Sequence, residues 1–287
     1  MKELIEQMAI NGLLSGFVYV IMALGFTLIF GIMRIVNFAH GELYMISAYA
    51  MLVLNGWDGL NYFASLGIAV LITVMVGILL ERVLFRRFVG NELGGMIMSL
   101  ALAIILQSSA LILFGPDDQS VPRPVEGVWH LGGAVISLDR AVVSACAIVT
   151  LVAFYVFMRY TKLGLAMQAV SQDRETANLM GIECGTIYVV AFAIGSALAA
   201  MAGGLMAPIY SVGPYMGELP LLKSFVVVIL GGLGSIPGAV AGGILLGLIE
   251  SVFATTFDST IALIASFVIV FATIVVRPRG LLGRTYK

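Results

Sequence analysis

The stretch YFASLGIAVLITVMVGILL, residues 62–80, carries no charged side chain. An uncharged apolar run of roughly 18 or more residues can cross about 30 Å of hydrocarbon at about 1.5 Å per residue. Further apolar runs lie at 8–32, 93–114, 141–158, 188–208, 239–257, which holds Glu250, and 261–276. Of 287 residues, 61% are hydrophobic and 11% are charged; soluble domains carry about 25% charged residues. The chain reads as an all-α polytopic membrane protein with a single transmembrane domain over 1–287. The run lengths give about eight or nine transmembrane segments. A formal net charge of −1 points to no nucleic-acid partner. Cys146 and Cys184 lack disulfide or metal-ligand spacing and read as free buried thiols. No cleavage site follows the first run, so it reads as an uncleaved helix.

Two places break the pattern. In GIMRIVNFAHGELYMISAYA, residues 31–50, Arg34, Asn37, His40 and Glu42 fall between apolar runs. The run that follows, 43–54, is too short to span. A helix starting at Asn37 or Phe38 would carry these polar groups into the membrane zone, as a broken or re-entrant element. The second break is GGLGSIPG, 231–238, after a short apolar piece at 221–230 and a turn-rich loop at 209–220. Glycine pairs four apart, Gly12 with Gly16 and Gly243 with Gly247, and the stripe Gly195, Ala199, Gly203 mark faces for close helix packing. The longest hydrophilic loop, 115–140, includes a possible hairpin around Gly132–Gly133, and Trp57 reads as interfacial.

Basic residues set the orientation. Eleven of the fifteen Lys and Arg residues fall in four segments. They are Arg34; Arg82, Arg86 and Arg87; Arg159, Lys162 and Arg174; and Arg277, Arg279, Arg284 and Lys287. Such loops lie on the cytoplasmic side. The N-terminus is then outside, the C-terminus cytoplasmic, and 115–140 an extracytoplasmic loop.

Between two of these runs lies a polar island, TKLGLAMQAVSQDRETANLMGI, 161–182. Gly164–Val170 fits one or two helical turns. Asp173 or Ser171 suits an N-cap, Glu175 the first turn of a second helix, and Gly181 its C′ position. Ala166, Ala169, Val170, Ala177 and Met180 give a small apolar side at helical spacing. One reading is a solvated loop helix packed on its own transmembrane ends. The other is a docking helix whose apolar side enters a partner's cleft.

Several motifs then recur in order. Glu175-Thr-Ala177-x-x-x-Gly181 looks like the EAA-x-x-x-G loop of ABC importer permeases, with Thr176 replacing an alanine. The wider set resembles the LivH-type permeases of branched-chain amino acid ABC importers. It comprises Ala23-Leu24-Gly25-x-Thr27-Leu28-Ile29-Phe30-Gly31, Asn37-Phe38-Ala39-His40-Gly41, Thr161-x-x-Gly164, Ala169-Val170, Gly181-Ile182, Ala191-Phe192 and Gly231-Gly232-Leu233-Gly234-Ser235. The resemblance spans nearly the whole chain. It implies a non-enzymatic permease of the bacterial inner membrane that needs no cofactor or metal. It implies ATP-binding cassette ATPase subunits, a homologous second permease and an extracytoplasmic solute-binding protein as partners. The coupling segment would be 161–182, with Gly164, Ala169, Glu175, Ala177 and Gly181 in contact with the ATPase. The chain has no G-x-x-x-x-G-K-[ST] phosphate loop of its own.

Polar groups inside spans usually face a path or a partner. Asn37, His40, Glu42, Gln107 and Glu250 are therefore the candidates for a translocation pathway. Each has a plainer reading: His40 bonded to a carbonyl, Glu42 capping its helix, Glu250 pinned to a neighbouring helix. An ion-coupled secondary transporter would also use broken helices, but it has no need of the island at 161–182. Relatives that move urea or short amides leave the substrate open.

Overall fold

The computed structural model of the chain describes residues 2–56, 60–131, 134–277 and 280. Trp57, Gly132–Gly133, Arg279, Arg284 and Lys287 lie outside the described residues. Helices account for most of the rest. They are α1 (Lys2–Met33), α2 (His40–Asn55), α3 (Tyr62–Val83), α4 (Glu92–Phe114), α5 (Leu138–Tyr160) and α6 (Lys162–Gln172). They continue with α7 (Arg174–Leu179), α8 (Cys184–Met206), α9 (Glu218–Gly231), α10 (Ile236–Thr256) and α11 (Ser259–Val276). Among the described residues, six are long and apolar enough to cross a membrane: α1, α3, α4, α5, α8 and α10. This makes the chain a polytopic helical membrane protein. A small hairpin, β1 (Val128–Leu131) and β2 (Ala134–Ser137), interrupts the helical pattern. The Gln7 side chain clips it to α1 by accepting from Val135 N (2.9 Å) and donating to Val135 O (3.1 Å).

Helix starts follow local chemistry. Asn61, Asn91 and Ser235 each accept from the amide three residues on, which satisfies an orphan donor. The expected close-packing pairs face one another. Gly12 and Gly16 of α1 lie against Gly247 and Gly243 of α10, so close that a Cβ at Gly16 would stand 3.2 Å from Gly243 O. Gly195 of α8 lies against Gly25 and Ile29 of α1, and Gly203 against the Tyr44 backbone of α2. Lipid offers no hydrophobic drive between helices, so such close backbone packing is what holds the bundle together.

Both sequence breaks are real, and the helices α2 and α9 start elsewhere than expected. α1 ends at Met33, and Arg34 takes a left-handed conformation, φ 58°. The chain then doubles back. Phe38 N donates to Ser99 Oγ (3.0 Å) and Ala39 N to Asn37 Oδ1 (3.0 Å). Because the Asn37 side chain takes the Ala39 amide, the helix starts at His40 rather than at Asn37 or Phe38. His40 Nε2 lies 3.3 Å from Met22 O, about 17 Å back from the end of α1 at about 1.5 Å per residue. The second break stands where expected: α9 ends at Gly231 and α10 starts at Ile236. Ahead of α9 lies the loop 207–217, tied to the loop after α4 by paired hydrogen bonds between Gln119 and Val212. Here α9 starts at Glu218, within the segment expected to be loop. Pro220 sits in its first turn, where its missing N–H leaves no bond unmade. With 16 and 14 residues, α2 and α9 are about 24 and 21 Å long, each short of a full crossing.

These part-length helices start in contact. The backbones of Gly41 and Gly217 touch, and a Cβ on either glycine would fall on the other's carbonyl. Substituting Gly203, which is similarly pressed against Tyr44, should overpack the α2–α8 contact at a cost of about 1–3 kcal/mol or more. Thermal unfolding in detergent should show a clearly lowered midpoint for Gly203→Val. Gly67→Ala, which has nothing within 4 Å of its new Cβ, should melt like the parent.

Candidate functional site

Three polar sites among the described residues hold the candidates named above. The first lies where α2 and α9 start. Glu42, in the first turn of α2, is 1% exposed. Its Oε1 accepts from Gln107 Nε2 of α4 at 2.9 Å, and the same nitrogen lies 3.3 Å from Glu218 Oε1 in the first turn of α9. Both carboxylates occupy the positive ends of their helices, which favours negative charge there. One amide donor thus joins three helices.

Of the five pathway candidates, the structure joins Glu42 and Gln107. Asn37 and His40 are buried beside them but occupied locally. Asn37 holds the turn before α2, and His40 rests on the Met22 carbonyl and the edge of Phe26, ring centroids 5.9 Å apart. His40 is therefore bonded to a neighbouring carbonyl, the plainer of its two readings. Glu218 escaped sequence reasoning because it sat in an assumed loop.

Glu250 belongs to a second site. Its Oε1 is 2.6 Å from Lys223 Nζ of α9, and Lys223 also donates to Tyr19 Oη of α1 at 2.8 Å. Glu250 is pinned to a neighbouring helix, but the pair also borders two adjoining cavities of about 260 Å³ each. Neither Lys223 nor Tyr19 stood out in the sequence. The signal for Lys223 was a lone lysine in a short apolar run.

The third site is the polar island. Thr161 caps α6 by accepting from Gly164 N at 3.0 Å. Asp173 caps α7 by accepting from Glu175 N (2.9 Å) and Thr176 N (3.0 Å), and Thr176 Oγ1 donates to its second oxygen at 2.6 Å. Gly181 follows with φ 85°. The helix chemistry matches expectation, but the apolar side does not. α6 and α7 are separated by an extended Asp173, φ −150°, so one helical period does not run through both. Val170 and Ala177 point into the chain's own core, with Met167 beside them. Gly164 is pressed on the backbone of Phe157 and Met158. Ala169 is half-buried, and only Glu175 and Gly181 of the five coupling candidates are exposed. What projects from the island is Leu179, 86% exposed, beside Met180, 79% exposed.

The profile of the family described as "Branched-chain amino acid transport system / permease component" matches residues 8–276. The chain belongs to this family. It is therefore a component of a transport system and not an enzyme. The permease is 33% identical to the high-affinity branched-chain amino acid transport system permease protein LivH of Salmonella typhimurium, over 97% of this chain and 95% of that protein. The same figures hold for BraD of Pseudomonas aeruginosa. It is also 25% identical to LivM of Escherichia coli K12, over 93% of this chain and 68% of that protein. No solved structure matches the permease.

The α7 cap gives a test of the island. Donation from the Thr176 hydroxyl, and then from backbone amides, holds the Asp173 carboxyl below the usual carboxylate range. A lowered carboxyl pKa means the cap is intact above the ordinary value and lost as pH falls through the lowered one. Protection of the Glu175 and Thr176 amides, taken relative to the intrinsic exchange rate at each pH, should fall as the solution is acidified, and Asp173→Ala should show the low protection at every pH.

Proposed function

We propose that this permease is one of two homologous membrane subunits of an ABC importer for branched-chain amino acids, resident in a bacterial inner membrane. ATP-binding cassette subunits would supply the work through 161–182, and an extracytoplasmic solute-binding protein would deliver the substrate. Similarity to both LivH and LivM, two permease proteins that carry the same system name in Escherichia coli K12, supports a paralogous partner. In this reading the N-terminus is outside and the C-terminus cytoplasmic. Nine segments then enter the bilayer, with the non-helical pieces 34–39 and 207–217 completing the crossings that α2 and α9 begin. The outer loops, 115–140 with 207–217, would receive the binding protein.

The observation that carries the coupling role is where the island sits. α6 packs on α1, α5 and α8. Ser171, at its end, borders a small pocket with Arg34 and with Leu233–Ser235. One polar segment therefore adjoins the break after α1 and the turn between α9 and α10. A push on α7 would reach both part-length helices and, through them, the Glu42–Gln107–Glu218 seam. Leu179 and Met180 form the exposed apolar knob that a cleft on an ATPase would grip. Glu42, Gln107 and Glu250 would border the path, with Asn37 and His40 holding the backbone turn beside it.

The test is reconstitution of both permeases with the ATPase inside proteoliposomes and the binding protein outside. Leucine uptake should require ATP hydrolysis. Leu179→Glu with Met180→Glu, both at exposed positions, should reduce ATPase copurification and uptake at least tenfold. Unchanged copurification and uptake in that variant would contradict the coupling assignment. Uptake of urea or a short amide in place of leucine would overturn the substrate.

A further inference from the structure

The chamber around Lys223 and Glu250 leads further, and the inference rests on the importer reading while adding a site to it. The two cavities adjoin through Ser15, Tyr19, Met206 and Tyr210, and both lie within this one chain. One half is polar, bordered by Asn11, Arg140, Ser144, Glu250 and Thr255. The other is largely apolar, bordered by Val18, Met22, Met216 and Leu219, with Lys223 at its edge. Each half has a volume of about 260 Å³, on the scale of a small-molecule site.

The ion pair on its wall is incomplete. A lysine ammonium has three protons to donate, and two are taken by Tyr19 Oη and Glu250 Oε1. The other carboxylate oxygen, Glu250 Oε2, is buried and has no hydrogen-bond partner among the described residues. A spare donor and a bare acceptor thus stand side by side, and a buried acceptor left unpaired is costly. An α-amino acid supplies the complement in one molecule. Its carboxylate takes the free lysine proton, its ammonium donates to Glu250 Oε2, and charges of alternating sign close a ring. A ligand with one charge can satisfy only half of that ring. The apolar half of the chamber then receives the side chain.

We propose that this chain by itself binds one apolar α-amino acid, as the zwitterion, at the Lys223–Glu250 pair. The bound molecule would wait in a chamber walled by α1, α5, α8, α9 and α10, and not solely between two permease subunits. No covalent step is involved; the ion pair exchanges partners as the substrate enters and leaves.

The test uses the assembled complex of both permeases and the ATPase, purified without binding protein. Binding of L-leucine is measured by calorimetry against 4-methylpentanoate, which lacks the ammonium, and 3-methylbutylamine, which lacks the carboxylate. Leucine should bind at least tenfold more tightly than either. Lys223→Met and Glu250→Gln should each weaken leucine at least tenfold. Ser15→Phe fills the junction of the two halves and keeps both charged residues; it should weaken leucine similarly, and decides the matter if the charge variants fail to assemble. No leucine binding by the parent complex, equal binding of the three ligands, or binding that survives Ser15→Phe would overturn the proposal. Stimulation of ATP hydrolysis in the parent complex by leucine-loaded binding protein is measured in parallel. Its absence would overturn the importer reading instead.

Discussion

Two glycine backbones, Gly41 and Gly217, touch where α2 and α9 begin. That contact sets the architecture of the bundle's centre. Any L-side chain at either position would meet the other's carbonyl and drive the two helices apart. Each helix is too short to cross, so each needs a non-helical approach, 34–39 in one case and 207–217 in the other. Non-helical backbone is tolerated inside a membrane only when protein or water satisfies it. Ser99 and Asn37 do this around the first break, and Gln119 does it for the loop 207–217.

Starting helices at that depth also brings their first turns inward. Glu42 and Glu218 arrive there together because each follows the helix start by at most two residues, and Gln107 bridges them from α4. Two carboxylates facing one amide would repel in lipid. The positive ends of α2 and α9 offset part of that charge. The Tyr19–Lys223–Glu250 cluster sits on the same α9 and ties it to α1 and α10. α9 thus carries both polar sites and ends at the glycine turn beside the polar island. A single short helix thus joins the turn beside the polar island to the Glu42–Gln107–Glu218 and Tyr19–Lys223–Glu250 groups. In the importer reading proposed above, this is how a push at one edge would reach them.

The membrane class, the first break and the caps of the island were legible because each depends on neighbours in sequence. A run such as 62–80 states its own environment, and Asp173 meets the amides of Glu175 and Thr176 within one turn. Glycine spacing announced that Gly12, Gly16, Gly243 and Gly247 pack closely, but spacing does not name the partner. The pairing of Glu250 with Lys223, and of Gly41 with Gly217, joins elements far apart in the chain, and no local pattern encodes it. The island's outward face was misjudged for a different reason. Asp173 interrupts the apolar side, and its extended backbone resets the helical phase, so Ala177 turns inward and Leu179 outward.

The meeting of α2 and α9 inside the bundle is the claim on which the rest stands, and Phe38 and Phe225 report it directly. Their rings stack with centroids 5.4 Å apart, one just before α2 and one within α9. With Cys146 and Cys184 replaced by alanine, Phe38→Cys and Phe225→Cys should form an intramolecular disulfide on oxidation in native membranes. Failure to cross-link under conditions that close a Gln119→Cys, Val212→Cys control would contradict the account.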